Sequence, residues 1–270
     1  MTFFKEVARL TKIYLKIFRQ TILYILEYRF NTFVRSFYGP IYHFAIFVSS
    51  YIVYSQNPSL GGWSKEQGMT IFFVFNFMFS LMYFLFFEGG LRRMMWTAVR
   101  NGEIDNWMTK PVPIQFSQMM FHPSIDMTIG TLIATGLLAF QLNRISEMLS
   151  LVNLSIFLLS LIISFLILYF VFSSYATLSF YMTKSQQIGE IINKASDISA
   201  FPTTIFPGAL QLTFFFVIPV AFIAYVPSCY LFGKADWKLT LYMIVLLIFS
   251  FIINRIAWKE GLKRYSSVSN

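Results

Sequence analysis

Long uncharged runs dominate the chain, and the polar residues between them gather into a few short clusters. The runs from Ser36 to Ser55, Thr70 to Phe87, Leu151 to Met182 and Leu239 to Ile253 are almost free of charge. A helix needs about 20 apolar residues to cross about 30 Å of hydrocarbon, so each run predicts a membrane span. Two further stretches are less regular. Phe116 to Phe140 contains His122, Pro123 and Asp126, and Phe201 to Tyr230 is interrupted by Pro202, Pro207, Pro219 and Pro227. Period-two alternation is absent and the runs are too long for spanning strands. The pattern predicts an all-α polytopic membrane protein of about six helices, a single transmembrane domain over residues 1–270.

Outside the spans the polar positions have their own periods. Lys5, Arg9, Lys12, Lys16 and Arg19 recur every three or four residues and share one face of a helix, opposite Phe3, Val7, Leu10, Tyr14, Phe18 and Ile25. Such a stripe predicts that residues 1–30 form a helix lying among anionic headgroups. Between Thr183 and Ala200, Lys184, Gln186, Gln187, Glu190, Asn193, Lys194 and Asp197 interleave with isoleucines, which predicts a second amphipathic helix. The proline-broken region 201–230 follows, and proline at membrane depth is tolerated where neighbouring protein satisfies the freed carbonyls. Two topologies are compatible with this order. In one, 183–200 is a connector and 201–226 the fifth span; in the other, a polar fifth span covers about 180–200 and 201–230 dips into the outer leaflet and returns.

Composition strengthens the membrane reading. Apolar residues make up 57% of the chain and charged residues 12%, whereas a soluble domain carries roughly 25% charged residues. The net charge of +9 sorts by side and gives no reason to expect nucleic acid. With the N-terminus inside, only Lys65, Arg144, Lys234 and Lys238 of the 21 basic residues lie outside. The positive-inside rule then puts both termini in the cytoplasm. The first span is expected to stay as an anchor, since some thirty basic, aromatic-rich residues precede it without a small-residue cleavage site.

Enzyme chemistry lacks its parts. Cys229 is the sole cysteine and His43 and His122 the only histidines, so neither a disulfide nor a metal centre is expected. No GxSxG elbow occurs, and the carboxylates are dispersed. No GxxxxGK[ST] loop is present either, so an ATP-driven role needs a separate nucleotide-binding subunit. A secondary transporter or channel stays open as an alternative, with a membrane-embedded enzyme third. Asp126, four residues after His122, is the main intramembrane ionisable candidate, either a structural polar pair or a proton relay.

The cytoplasmic segment 89–115 is the most distinctive. It carries Arg92, Arg93, Trp96, Arg100, Glu103, Asp105, Trp107 and Lys110, has Asn101-Gly102 as a turn between two short helical pieces, and ends at Pro111-Val112-Pro113. Cationic and aromatic groups of this kind anchor protein interfaces.

Val99-Arg100-Asn101-Gly102-Glu103-Ile104-Asp105 followed by Lys110-Pro111 resembles the segment after the second span of ABC-2-type transporter permeases. Phe201-Pro202-Thr203-Thr204-Ile205-Phe206-Pro207 is similar to the family's YPxSIFP element, with phenylalanine in place of the usual tyrosine. Val217-Ile218-Pro219-Val220-Ala221-Phe222, Tyr225-Val226-Pro227, Leu231-Phe232-Gly233 and the ending Gly261-Leu262-Lys263-Arg264-Tyr265-Ser266-Ser267 continue the resemblance in order. Gly208 departs from it, standing where a bulkier or basic residue often follows.

The resemblance implies an N-terminal elbow helix, six spans, a coupling helix in 89–115 and a re-entrant element in 201–230, which favours the second topology. It implies a second permease, identical or related, and two cytoplasmic ATPase subunits that bind ATP and Mg²⁺, in a prokaryotic cytoplasmic membrane. The expected cargo is amphipathic, such as a lipid, glycolipid, peptide or drug-like compound, and the 33 Phe and 15 Tyr are compatible with it.

Overall fold

The computed structural model describes residues 3–27, 30, 33–34, 37–57, 59–120, 126–182 and 184–266. Almost all of them are helical. Helix α1 (Phe3–Glu27) is followed by α2 (Tyr38–Gln56), a short hairpin of β1 (Ser59–Leu60) and β2 (Trp63–Ser64), and α3 (Lys65–Arg92). Short α4 (Glu103–Met108) and α5 (Ile114–Met120) lead to α6 (Asp126–Arg144) and α7 (Leu151–Phe180). Then come α8 (Gln186–Ile198), α9 (Gly208–Val217), α10 (Tyr225–Leu231) and α11 (Trp237–Arg264). Among the described residues three helices, α3, α7 and α11, are long and apolar enough to cross a membrane. Helices α2 and α6 have 19 residues each, or about 28 Å at 1.5 Å per residue. The irregular stretch Phe116–Phe140 resolves into α5 and α6, with residues 121–125 between them outside the described residues.

Helix α3 is the hub. In its most apolar window 78% of residues are buried, against 33% for α7 and 22% for α11, so the latter two form the outer wall and leave apolar faces to lipid. The reason lies in ring stacking along α3. Phe79, Tyr83 and Phe87, four residues apart, stack at 4.4 and 4.8 Å, and Phe86 meets Phe165 and Tyr169 of α7 edge-on. Such pairs add about 0.5–1.5 kcal/mol each beyond area burial. From Tyr83 onward the helix widens into π-helical turns, continued over Met94–Ala98, where Gly89 and Gly90 weaken the α-helical preference.

Helices α7 and α11 run side by side in the same direction. Phe170 packs edge-on against Phe251 at 5.3 Å, the Asn254 amide donates to the Phe170 carbonyl at 3.2 Å, and the Trp258 indole donates to Ser173 Oγ at 2.8 Å. Polar residues hold this pair because hydrophobic pressure between helices vanishes in lipid, leaving packing and interhelical hydrogen bonds.

One end of the bundle is closed by the hairpin. Its turn residues Gly61 and Gly62 have φ of 59° and 82°, the left-handed region that a two-residue hairpin turn requires and that glycine enters at no steric cost. Ser64 and Gln67 then form a reciprocal capping box that starts α3. Trp63 packs against Tyr225 and Phe232, and the Lys234 ammonium lies 3.9 Å over its ring while donating to the Gly62 carbonyl at 3.0 Å and Gln67 Oε1 at 2.9 Å. Desolvation there lowers the Lys234 pKa below its ordinary value. Thr204 donates to the Gly61 carbonyl, and Arg144 pairs with Glu66 at 2.8 Å. The starts of α3, α7 and α11 and the end of α6 therefore share this end.

Helix α8 packs most of the polar stretch along the hub. Ser185 Oγ donates to the Met95 carbonyl at 2.6 Å, Tyr83 donates to Asn193 Oδ1, and Tyr42, stacked on Phe79, donates to Asp197 Oδ1. Rising numbers on α8 meet falling numbers on α3, so α8 runs antiparallel to the hub from the level of Met95 to that of Phe79. After it, Ser199 Oγ donates to the Val220 carbonyl and Thr204 reaches the hairpin. Helix α9, bounded by Pro207 and Pro219, is ten residues long, about 15 Å and half a membrane core. It ends with the Phe215 carbonyl accepting from Tyr242 at 2.6 Å and that of Val217 accepting from Tyr175, the side-chain satisfaction that broken helices need in lipid.

Candidate functional site

Two groups of polar residues stand out against this apolar frame. The first is a platform at the end opposite the hairpin. After the π-helical turns the chain reverses through 99–102, and Gly102, with φ of 70°, lets α4 begin at once. Glu103 and Asp105 fall in the first turn of α4, where carboxylates complement the helix dipole. Arg93 Nε reaches back across the turn to Glu103 Oε2 at 2.6 Å. Trp107 is only 2% exposed and packs with Ala98 and Ile104 in a small core of its own, with Val99, Ile114, Phe180 and Tyr265 around it. Burial raises the pKa of the Tyr265 phenol, and neighbouring Asp105 adds to the effect. The end of α11 is thereby tied to the platform.

The platform also meets the N-terminal helix. Arg9 Nη1 donates to the Pro111 carbonyl at 2.9 Å while its other nitrogens hold Glu6 at 2.5 and 3.1 Å. That hydrogen bond with Arg9 lowers the Glu6 pKa below its ordinary value. Lys5, Lys12, Lys16 and Arg19 are exposed along α1. On the platform Arg100, Lys110 and Pro111 are exposed, Arg92 is paired with Glu88 at 2.7 Å, and Trp107 serves as core. The Trp96 side chain lies outside the described residues, as do His122 and the side chain of Asp126, whose backbone opens α6. Pro202, Pro219 and Pro227 are buried and Pro207 is exposed.

The second group is the outward face of α8. Gln187, Glu190, Ile191 and Lys194, spaced three, one and three residues apart, are all exposed, while Gly189, Ile192, Ala195 and Ser196 pack inward. Glu190 precedes Lys194 by four residues, the favourable order for a helical ion pair. At the flank, Asn193 and Asp197 are half-buried and take hydroxyl hydrogen bonds from Tyr83 and Tyr42. The Glu88–Arg92 pair of α3 sits beside them, and Glu190 contributes to the field on Arg92. A charge buried in hydrocarbon costs about 2.5 kcal/mol or more at the bilayer centre, so Glu190 and Lys194 favour water or a polar partner over lipid.

Tyr42, Tyr83 and Glu88 were not singled out in the sequence, because the two tyrosines lie inside aromatic apolar runs and Glu88 falls between the run ending at Phe87 and the segment that starts at Gly89. A tyrosine hydroxyl interrupting such a run is the one available signal. Among the described residues no group of His, Cys, Asp and Glu is arranged to hold a metal ion.

A family model described as ABC-2 family transporter protein matches residues 41–269. Neither a curated protein nor a solved structure matches the chain.

Proposed function

Since the chain belongs to the ABC-2 transporter family, and is thus a membrane permease of an ABC transporter, we propose that it exports an amphipathic substrate along an interface with a second permease. Energy comes from two cytoplasmic ATPase subunits that bind ATP and Mg²⁺, and this chain performs no hydrolysis itself. The platform of 93–111 docks the ATPase through Arg100, Lys110 and the exposed edge of α4, while Trp107 and the Arg93–Glu103 pair hold its shape. Helix α1 lies at the cytoplasmic surface and couples to the platform through Arg9 and Pro111. Both termini are cytoplasmic, α2, α3, α6, α7 and α11 make five crossings and α8 with its continuation through 199–204 the remaining one, and 201–230 enters and leaves the outer leaflet.

The observation that carries this reading is the exposed polar face of α8 at the depth of the hub. It supports a hydrated path on which the polar part of a cargo travels while its apolar part stays near lipid. The position of Asp197 beside Tyr42 supports contact between α8 and α2 along that path.

Cysteine labelling tests it directly. Cys229 is the only cysteine and is buried, so a C229A background presents no reactive thiol of its own. Cysteines placed singly at Glu190 and Lys194 should react with a membrane-impermeant thiol reagent, and cysteines at Leu158 and Phe249 should not. Equal protection at all four positions would sink the path. ATPase docking is tested separately: a Walker-motif ATPase should co-purify with the tagged chain and be lost in R100A/K110A.

A further inference from the structure

An open cavity of about 220 Å³ lies beside the platform, where the ends of α3 and α7 meet the start of α8. Its lining includes Met94, Met95, Phe180, Tyr181 and Met182, with Arg100 at the mouth. Three of the hydroxyls in its wall are already engaged. Thr97 donates to the Arg93 carbonyl at 3.3 Å, Ser179 to that of Ala176 at 2.6 Å, and Ser185 to that of Met95 at 2.6 Å. The interior therefore offers a guest little but methionine and aromatic surface, and methionine adapts its shape to flexible apolar groups.

The mouth has the opposite character. Arg100 is exposed, the Arg264 guanidinium lies 5.6 Å from the Tyr181 ring centroid, and exposed Lys184 leads into the wall at Ser185. The volume is below the roughly 300 Å³ at which drug-sized sites begin. It suits a segment of hydrocarbon chain with an anion held outside.

We propose that this cavity binds an anionic phospholipid of the leaflet at this end of the bundle, with part of an acyl chain among Met94, Met95 and Phe180 and the headgroup phosphate against Arg100 and Arg264. Basic pockets between membrane helices hold anionic headgroups for the same electrostatic reason. The site lies at the ends of α3, α7 and α11, so lipid held here bridges the platform to the spans that carry it. It is separate from the exposed face of α8 and needs neither ATPase nor cargo.

The test uses the full chain, purified alone in detergent and titrated with phosphatidylglycerol or with phosphatidylcholine of identical acyl chains, with bound lipid read by native mass spectrometry. Wild type is expected to retain phosphatidylglycerol over phosphatidylcholine. R100A/R264A should weaken that retention by about thirtyfold, taking about 1 kcal/mol for each basic residue at the headgroup. T97F, which fills the cavity and leaves both arginines in place, should lose the same adduct, while R100K keeps it; thermal unfolding of each variant confirms the fold. Equal retention of the two lipids overturns the proposal. So does a phosphatidylglycerol adduct untouched by R100A/R264A, including the case in which those changes abolish only ATPase co-purification. An adduct that T97F spares and inorganic phosphate displaces also overturns it, because such a site reads phosphate without the chain.

Discussion

Helices α8 and α11 each leave one face uncovered, and the two faces could hardly differ more. On α11 the exposed residues include Leu241, Ile244, Val245, Ile248, Phe249 and Ile252; on α8 they are Gln186, Gln187, Glu190, Ile191 and Lys194. Both helices stand against the same apolar bundle, so exposure alone separates nothing. What separates them is the solvent each face can tolerate: hydrocarbon accepts the α11 face without cost and rejects the charges of α8. The comparison locates two different surroundings around one molecule. Lipid suits the outer faces of α7 and α11, whereas the charges on α8 favour water or a polar neighbour.

The sharpest way to break this contrast is to exchange the charge. Phe249→Arg puts a guanidinium on the lipid wall, at a cost of about 3 kcal/mol at the helix centre, and should reduce the carbonate-resistant membrane fraction severely. Gln187→Arg on α8 should leave that fraction at the wild-type level. Equal insertion of the two variants would mean that α11 does not face lipid.

A smaller effect is expected where α8 meets α2. Tyr42→Phe removes the hydroxyl that donates to Asp197 and leaves a half-buried carboxylate short of one partner, worth about 1.5 kcal/mol. Thermal unfolding in detergent should show a lower midpoint for this variant, whereas Tyr51→Phe, at an exposed position of the same helix, should match wild type. Matching midpoints for both would detach α8 from α2.

The smallest effect is expected far from either face. Lys234→Gln at the hairpin end loses the stacking on Trp63 and one of two hydrogen bonds, about 0.5–1 kcal/mol at an exposed site. It should speed proteolysis within 56–68 and leave membrane insertion unchanged. A change in insertion would show that the hairpin helps to set the bundle.

Several of these features were legible before any coordinates. The uncharged runs announce α3, α7 and α11 because lipid imposes a length and a composition on any helix that crosses it. The three-and-four spacing of the lysines and arginines announces α1, and the Asn101-Gly102 turn announces the break before α4. The function of Trp107 was not legible in the same way. Its composition suggests a docking anchor, but it is enclosed by Ala98, Ile104 and Tyr265, and Tyr265 arrives from the far end of the chain. The pairing of Arg9 with Pro111 is hidden for the same reason, since 102 positions separate the two residues.

The chain by itself determined the solvent: with so little charge and such long apolar runs, hydrocarbon was the only medium in which the helices could expose their side chains. It also determined local period, turn and cap, which depend on neighbours a few residues away. Only the tertiary structure decided that α3 is the hub, that the polar stretch 186–198 lies antiparallel to it, and that the proline-rich region forms short helices against Tyr175 and Tyr242. Those outcomes depend on which helices stack their rings and satisfy one another's polar groups, and in lipid such pairings are chosen by shape and hydrogen bonding between distant segments.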